Sequence, residues 1–184
     1  MKKMRINEIF YSLQGEGFWT GTPIVFVRFA GCNLHCDFCD TQHEAFSEMT
    51  EADIVLAIKK FPTNRVCLTG GEPSLQITQT FVDSLHREGY IIHIETNGTR
   101  ALPKGIDWIT LSPKSANIAL QKANELKIVY INNNVEPERW LSFDAAHFFL
   151  QPCSNRNTAE VIDYILAHPQ WRLSLQTHKV LGIR

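Results

Sequence analysis

Apolar residues gather in short runs along the chain: Ile24–Phe29, Val66–Leu68, Tyr90–Ile94, Trp108–Leu111, Lys127–Ile131, His147–Leu150 and Trp171–Leu175. Runs of this length, rich in β-branched and aromatic residues, predict buried strands. Between several of them the apolar period lengthens to that of a helix. Thr50-Glu51-Ala52-Asp53 reads as a capping box ahead of Ile54, Val55, Ala57 and Ile58. Ile77, Phe81, Val82 and Leu85 make a second helical stripe; Val161, Ile162, Ile165 and Leu166 make a third, which ends before Pro169. Strands alternating with helices imply βαβ units and a parallel sheet. No linker, repeat or low-complexity segment interrupts residues 1–184, so the expectation is a single α/β domain.

Polar motifs punctuate this pattern at one kind of place. The cysteine loop at Cys32–Cys39, Thr69-Gly70-Gly71-Glu72-Pro73, Glu95-Thr96-Asn97-Gly98, Ser112-Pro113-Lys114, Gln151-Pro152-Cys153-Ser154 and Gln176-Thr177-His178-Lys179 each follow a predicted strand. In parallel α/β folds the site forms at the carboxyl ends of the strands, so one end of the sheet collects the candidate chemistry. A full eight-unit barrel needs roughly 250 residues. A chain of 184 residues therefore predicts an incomplete (β/α) barrel with parallel strands.

Composition narrows the class. Hydrophobic residues are 44% and charged residues 20%, as in ordinary globular proteins, and the net charge of -1 gives no long-range attraction to nucleic acid. Met1-Lys2-Lys3-Met4-Arg5 is basic, but no apolar segment of a secretion signal follows, and no apolar run is long enough to span a membrane. Five cysteines in such a chain point to metal binding in a reducing cytoplasm rather than to disulfides.

Three of those cysteines share the loop Cys32-Asn33-Leu34-His35-Cys36-Asp37-Phe38-Cys39. Structural zinc wants four protein ligands, here with His35 or His43 as the fourth. A four-iron cluster on three cysteines instead leaves one iron open to another ligand. Cys67 lies in an apolar run and reads as a small buried hydrophobe. Cys153 reads as a packing residue near the site. Gly70-Gly71 suits either a turn or close approach of backbone to a ligand. Glu95 is a candidate contact for a ribose, beside an Asn97-Gly98 turn. His86, His147 and His168 carry no motif.

The C-x3-C-x2-C loop followed by Gly70-Gly71-Glu72 resembles the radical S-adenosylmethionine (radical SAM) enzymes. Leu13-Gln14-Gly15-Glu16-Gly17, Arg28 before Gly31-Cys32, Cys39-Asp40-Thr41, Ser112-Pro113-Lys114 and Gln176-Thr177-His178-Lys179 together resemble the 7-carboxy-7-deazaguanine synthases, from residue 7 to the chain end. The resemblance implies conversion of 6-carboxy-5,6,7,8-tetrahydropterin to 7-carboxy-7-deazaguanine with loss of ammonia. Its implied cofactors are a [4Fe-4S] cluster, SAM and Mg2+. In this family the reduced cluster cleaves SAM, and the resulting 5'-deoxyadenosyl radical takes a hydrogen from substrate and later returns it.

By the same resemblance Cys32, Cys36 and Cys39 hold the cluster and Thr41 holds magnesium. SAM is lined by Phe38, Cys39, Asp40, Gly71, Glu72, Ser112, Pro113, Lys114 and Gln151, Pro152, Cys153 and Ser154, with Glu72 an acceptor for its ammonium. Substrate falls to Leu13, Gln14, Gly15, Glu16, Arg28, Thr69, His178 and the terminal carboxylate of Arg184. Arg28 suits a carboxylate and Glu16 the N–H-bearing pterin edge. The implied partners are a flavodoxin or ferredoxin and a second copy in a homodimer. A radical SAM enzyme that activates a protein partner, and a zinc-binding interaction module, remain the competing readings.

Overall fold

The computed structural model describes residues 3–131 and 136–184; of the basic N-terminal segment, Met1 and Lys2 lie outside them. The elements run β1 (Lys3–Leu13), β2 (Pro23–Phe29), β3 (Ser47–Thr50), α1 (Glu51–Ile58), β4 (Arg65–Gly70), α2 (Gln79–Arg87), β5 (Ile91–Thr96), β6 (Trp108–Leu111), β7 (Lys122–Tyr130), β8 (Asp144–Pro152), α3 (Thr158–Ala167), β9 (Arg172–Leu173) and α4 (Thr177–Leu181). They build one nine-stranded sheet of order β3-β1-β2-β4-β5-β6-β7-β8-β9. From β2 through β9 each neighbouring pair is parallel, while β1 runs antiparallel to both β2 and β3. The order never returns to its start, so the barrel is open.

Every predicted strand forms. The two additional ones are β1 and β3. In β1 the alternation of buried Met4 and Ile6 is broken by a register shift between Ile6 and Glu8, which erases the period-two signal. The short β3 is exposed or half-buried throughout and so has no apolar signature. The capping box is present: Asp53 N–H donates to Thr50 Oγ1 (3.2 Å) and Thr50 N–H to Asp53 Oδ2 (2.9 Å). Thr78 caps α2 in the same way, through Phe81 N–H (3.1 Å). One expectation is only partly met. Helices α1, α2 and α3 cover three crossovers, but no α-helix occurs among the described residues linking β5 to β6, β6 to β7 or β7 to β8.

Alternation along the strands divides the sheet into two chemistries. Val25, Val27, Phe29, Val66, Leu68, Ile92 and Ile94 point outward and bury against Ile54 and Ile58 of α1 and Phe81, Val82 and Leu85 of α2. Leu111, Leu126, Ile128 and Leu150 do the same against Val161, Trp140 and Trp171. The intervening positions face inward. Register sets Arg28 beside Thr69, Glu95 beside Thr110 and Thr110 beside Glu125. Below them, Phe18 and Trp19 of the β1–β2 loop pack on Trp108, His147 and His93, with ring centroids 4.4–5.4 Å apart. Burial there, with the Arg65 charge adding to it, lowers the His93 pKa to about 4.

Candidate active site

A cavity of about 500 Å³ opens over the carboxyl ends of the strands. The size suits a ligand the size of a nucleoside or pterin. The cysteine loop forms one wall, the loops after β4, β5, β6 and β8 the next, and the β1–β2 loop with α4 and Arg184 the remainder. All the residues named above for cluster, magnesium, SAM and substrate line it except Pro113, which is buried behind its neighbours Ser112 and Lys114.

Cys32, Cys36 and Cys39 share the cavity wall, Cys39 exposed and the other two half-buried. Burial pushes the Cys32 and Cys36 thiols up. Among the described residues no three His, Cys, Asp or Glu side chains are gathered as for one metal ion. A [4Fe-4S] cube takes each thiolate on a different iron and does not require them to meet at a point. Three soft sulfur donors on one open cavity therefore fit that cluster, with one iron left for a ligand. Lys114 donates to Ser112 Oγ (2.6 Å) and lies over the Phe38 ring, with its charge disfavoured by burial and by Lys127.

The loop after β4 has a packing role beside the cavity. Gly70 and Gly71 line the cavity, and both positions are also closed to a side chain. A Cβ on Gly71 would stand 2.0 Å from Gly31 O, and one on Gly70 would stand 2.2 Å from Phe29 O, with φ at +130°. The glycines let this loop press against the backbone that launches Cys32, and Gly71 N–H to Phe29 O and Glu72 N–H to Gly31 O (both 2.9 Å) lock the contact. Glu72 also lines the cavity. It is 1% exposed and its carboxylate accepts from Ser74 N–H (3.0 Å), Thr96 Oγ1 (2.7 Å) and Asn97 N–H (2.8 Å). Glu72 is thus a brace between the loops after β4 and β5.

At the opposite end Glu16 enters from the β1–β2 loop. That loop is pinned by Gly17 N–H to Ser174 Oγ (2.9 Å), Phe18 N–H to Glu125 Oε2 (2.9 Å) and Thr177 N–H to Gly15 O (2.9 Å). Lys127 Nζ donates to Glu16 Oε2, while Gln151 (3.2 Å) and Gln176 (2.9 Å) donate to Oε1. Burial alone would raise the Glu16 carboxyl, but the Lys127 charge and these bonds hold it below the usual carboxylate range. Burial likewise opposes the Lys127 charge, and Glu16, Glu95 and Glu125 overcome it and push its pKa up. Glu95 accepts from Thr69 (2.9 Å) and Gln14 (3.1 Å). Glu125, 2% exposed, has its carboxyl raised by burial.

The chain's C-terminal segment joins the two ends. Asp40, beside the cysteine loop, accepts from Lys179 (2.5 Å) and Gln176 (3.0 Å). Although burial opposes it, these bonds keep its carboxyl low. His178 packs on Gly15, where a Cβ would meet Nδ1 at 2.2 Å. Arg28 lines the cavity with its Nε held by Glu8 (2.9 Å), which also accepts from the Arg184 guanidinium. Ser12 Oγ donates to Arg184 O (2.5 Å).

Sequence reasoning passed over Lys127 and Glu125, and placed Gln176 in a motif without giving it a role. The signal was present: Glu125-Leu126-Lys127-Ile128-Val129 places two charges at i and i+2 among apolar residues, on the inner face of a parallel sheet. His86, paired to Asp107 (3.0 Å), and His168, stacked on Tyr164, lie outside the cavity. Cys67 is fully buried beside Ile24 and Phe26.

Residues 26–142 match the family model described as Radical SAM superfamily. A 7-carboxy-7-deazaguanine synthase of Bacteroides thetaiotaomicron is 55% identical, with 98% of each chain covered. One of Bradyrhizobium diazoefficiens is 43% identical over 97% of this chain and 98% of its own. The crystal structure of QueE from Escherichia coli superposes with a TM-score of 0.79 at 28% identity, covering 94% of this chain and 93% of that one. Identity at this level over nearly the full length, on a sheet with a three-cysteine loop at its carboxyl edge, establishes that the chain belongs to the 7-carboxy-7-deazaguanine synthases of the radical SAM superfamily.

Proposed function

We infer that the protein is a radical SAM lyase that converts 6-carboxy-5,6,7,8-tetrahydropterin to 7-carboxy-7-deazaguanine with loss of ammonia. The observation that carries this reading is a single cavity with a three-thiol wall at one end and Glu16, Arg28 and His178 at the other. A [4Fe-4S] cluster on Cys32, Cys36 and Cys39 with SAM supplies the radical that starts the ring contraction. The protein's share is to bind, orient and shield.

Phe38, Asp40, Gly71, Ser112, Lys114 and Gln151 to Ser154 surround SAM in this reading. Gly71 acts through backbone placement, and Pro113 shapes the wall from behind. Substrate lies against Leu13 to Glu16, Thr69, Arg28 and His178, with the Arg184 carboxylate nearby. Arg28, anchored through Nε, keeps its terminal nitrogens for a substrate carboxylate, and a planar fork suits that ligand. Thr41 at the cavity rim offers a hard oxygen for Mg2+, which prefers oxygen ligands and retains waters. The reading also includes one domain over residues 1–184, a cytoplasmic location, a flavodoxin or ferredoxin as electron donor, and a homodimer. Among the described residues no helix is long and apolar enough to cross a membrane.

The test is anaerobic. The protein is reconstituted with iron and sulfide, reduced, and given SAM, Mg2+ and carboxytetrahydropterin. Formation of 7-carboxy-7-deazaguanine by mass spectrometry is expected. An intact cluster that yields 5'-deoxyadenosine without that product would refute the substrate assignment.

A further inference from the structure

Lys127 stands in the middle of β7 with its side chain 5% exposed, in a strand whose other inward and outward positions include Val and Ile. A buried lysine gains little stability over an apolar residue of similar volume, because desolvation offsets the ion pair. Its placement calls for another reason. The ammonium bonds Glu16, stands 3.9 Å from Glu95 Oε1, and shares its face of β7 with Glu125. The other charged or titratable groups around this knot are Lys114 from the loop after β6, His178 from α4, Cys67 on β4 and Arg28 on β2. Two half-buried carboxylates, Glu16 and Glu95, line the cavity, and Lys127 is the cation bonded to Glu16.

The geometry at Glu16 is specific. A carboxylate has about four lone-pair positions. Lys127 takes one on Oε2, and Gln151 and Gln176 take Oε1. Three donors on two oxygens fix the plane of the group and leave an acceptor position on the cavity side.

We propose that Lys127 is a positioning residue for substrate: its ammonium fixes the Glu16 carboxylate as the anionic acceptor that reads the N–H-bearing edge of the pterin. The proposal rests on Glu16 being a substrate contact. Without the Lys127 charge, burial and the neighbouring Glu95 and Glu125 push the Glu16 carboxyl up, and the proton it then takes up more readily turns an acceptor into a donor. A donor facing the N–H edge repels it.

The experiment is equilibrium binding of carboxytetrahydropterin to the cluster-loaded, SAM-bound enzyme, by anaerobic calorimetry at pH 6.5 and 8.5. Lys127→Met is expected to raise Kd about tenfold or more at pH 6.5 and to recover most of it at pH 8.5, as Glu16 ionises. Lys127→Arg, which keeps the charge, is expected to stay within about threefold of the parent at both pH values. A Kd for Lys127→Met that equals the parent's, or that is raised equally at both pH values, overturns the proposal. Glu16→Gln separates the two layers. If it binds as tightly as the parent, the assignment of Glu16 to substrate fails; if it binds weakly while Lys127→Met binds normally, only the role of Lys127 fails. Should Lys127→Met not take up its cluster, Lys127→Met/Glu16→Gln removes both partners together, which costs far less than stranding one. Its Kd should match that of Glu16→Gln, and a further loss beyond about threefold overturns the proposal.

Discussion

Replacing Glu72 by alanine distinguishes a brace from a ligand contact. The Glu72 carboxylate is 1% exposed and accepts from two backbone N–H groups and the Thr96 hydroxyl, at 2.7–3.0 Å. Glu72→Ala strands those donors in a site too tight for full hydration. Each buried unsatisfied group costs about 1–3 kcal/mol. With Thr96 free to rotate toward another acceptor, the expected loss is about 3–5 kcal/mol, a large fraction of a typical domain's 5–15 kcal/mol. For a chain of this size that lowers Tm by about 10 °C. Glu72→Gln keeps one acceptor oxygen, and about half the loss is expected. The assay is anaerobic thermal unfolding of the cluster-loaded protein beside calorimetric binding of SAM. The brace predicts a lower Tm, with SAM affinity falling by a similar factor in both variants as the loops loosen. An unchanged Tm with a selective collapse of SAM affinity would refute it and restore Glu72 as the acceptor for the SAM ammonium.

Gly71→Ala places a Cβ 2.0 Å from Gly31 O and pushes on the backbone before Cys32; iron and sulfide content after reconstitution should fall severalfold, and full loading would disprove the packing role. His93 titrates at about 4 folded against 6.5 unfolded. The unfolded chain therefore binds the proton first, and stability falls as pH drops from about 6.5 to 4, by on the order of 2–3 kcal/mol at the acid end. Urea midpoints at pH 7 and 4.5 check this: the shift should shrink in His93→Gln, and an equal shift in both proteins would contradict it. Arg28→Ala should spare SAM cleavage and raise the pterin KM by about tenfold or more, whereas Cys36→Ala should abolish the cluster and all turnover; a normal KM in the arginine variant would remove Arg28 from the substrate contacts.

The chain's local patterns carried most of the fold. Short apolar runs, a Thr50–Asp53 capping box and a stripe at Phe81, Val82 and Leu85 depend on residues near one another in sequence, so strands and helices were legible there. The absence of α-helices between β5 and β6 and between β6 and β7 was not, because a connection of this length reads equally as a short helix or a turn until packing chooses. The cysteine spacing and the polar segments after the strands likewise identified the catalytic edge, since chain connectivity alone delivers them to the carboxyl ends of parallel strands.

What tertiary structure alone decided is the partner of each polar group. Glu72 belongs to Thr96 and Asn97, 24 and 25 residues away, and Glu16 to Lys127, 111 residues away. No local period encodes such pairs; they follow from sheet order and register. The sequence determined that a three-cysteine loop and a set of polar motifs gather at one edge of a parallel sheet. The folded chain determined that Gly70 and Gly71 pack against the backbone before Cys32, and that Lys127, buried in β7, bonds Glu16 on the cavity wall. Charge burial is settled only by three-dimensional neighbours, because a buried ion is tolerable solely where opposite charge and hydrogen bonds surround it.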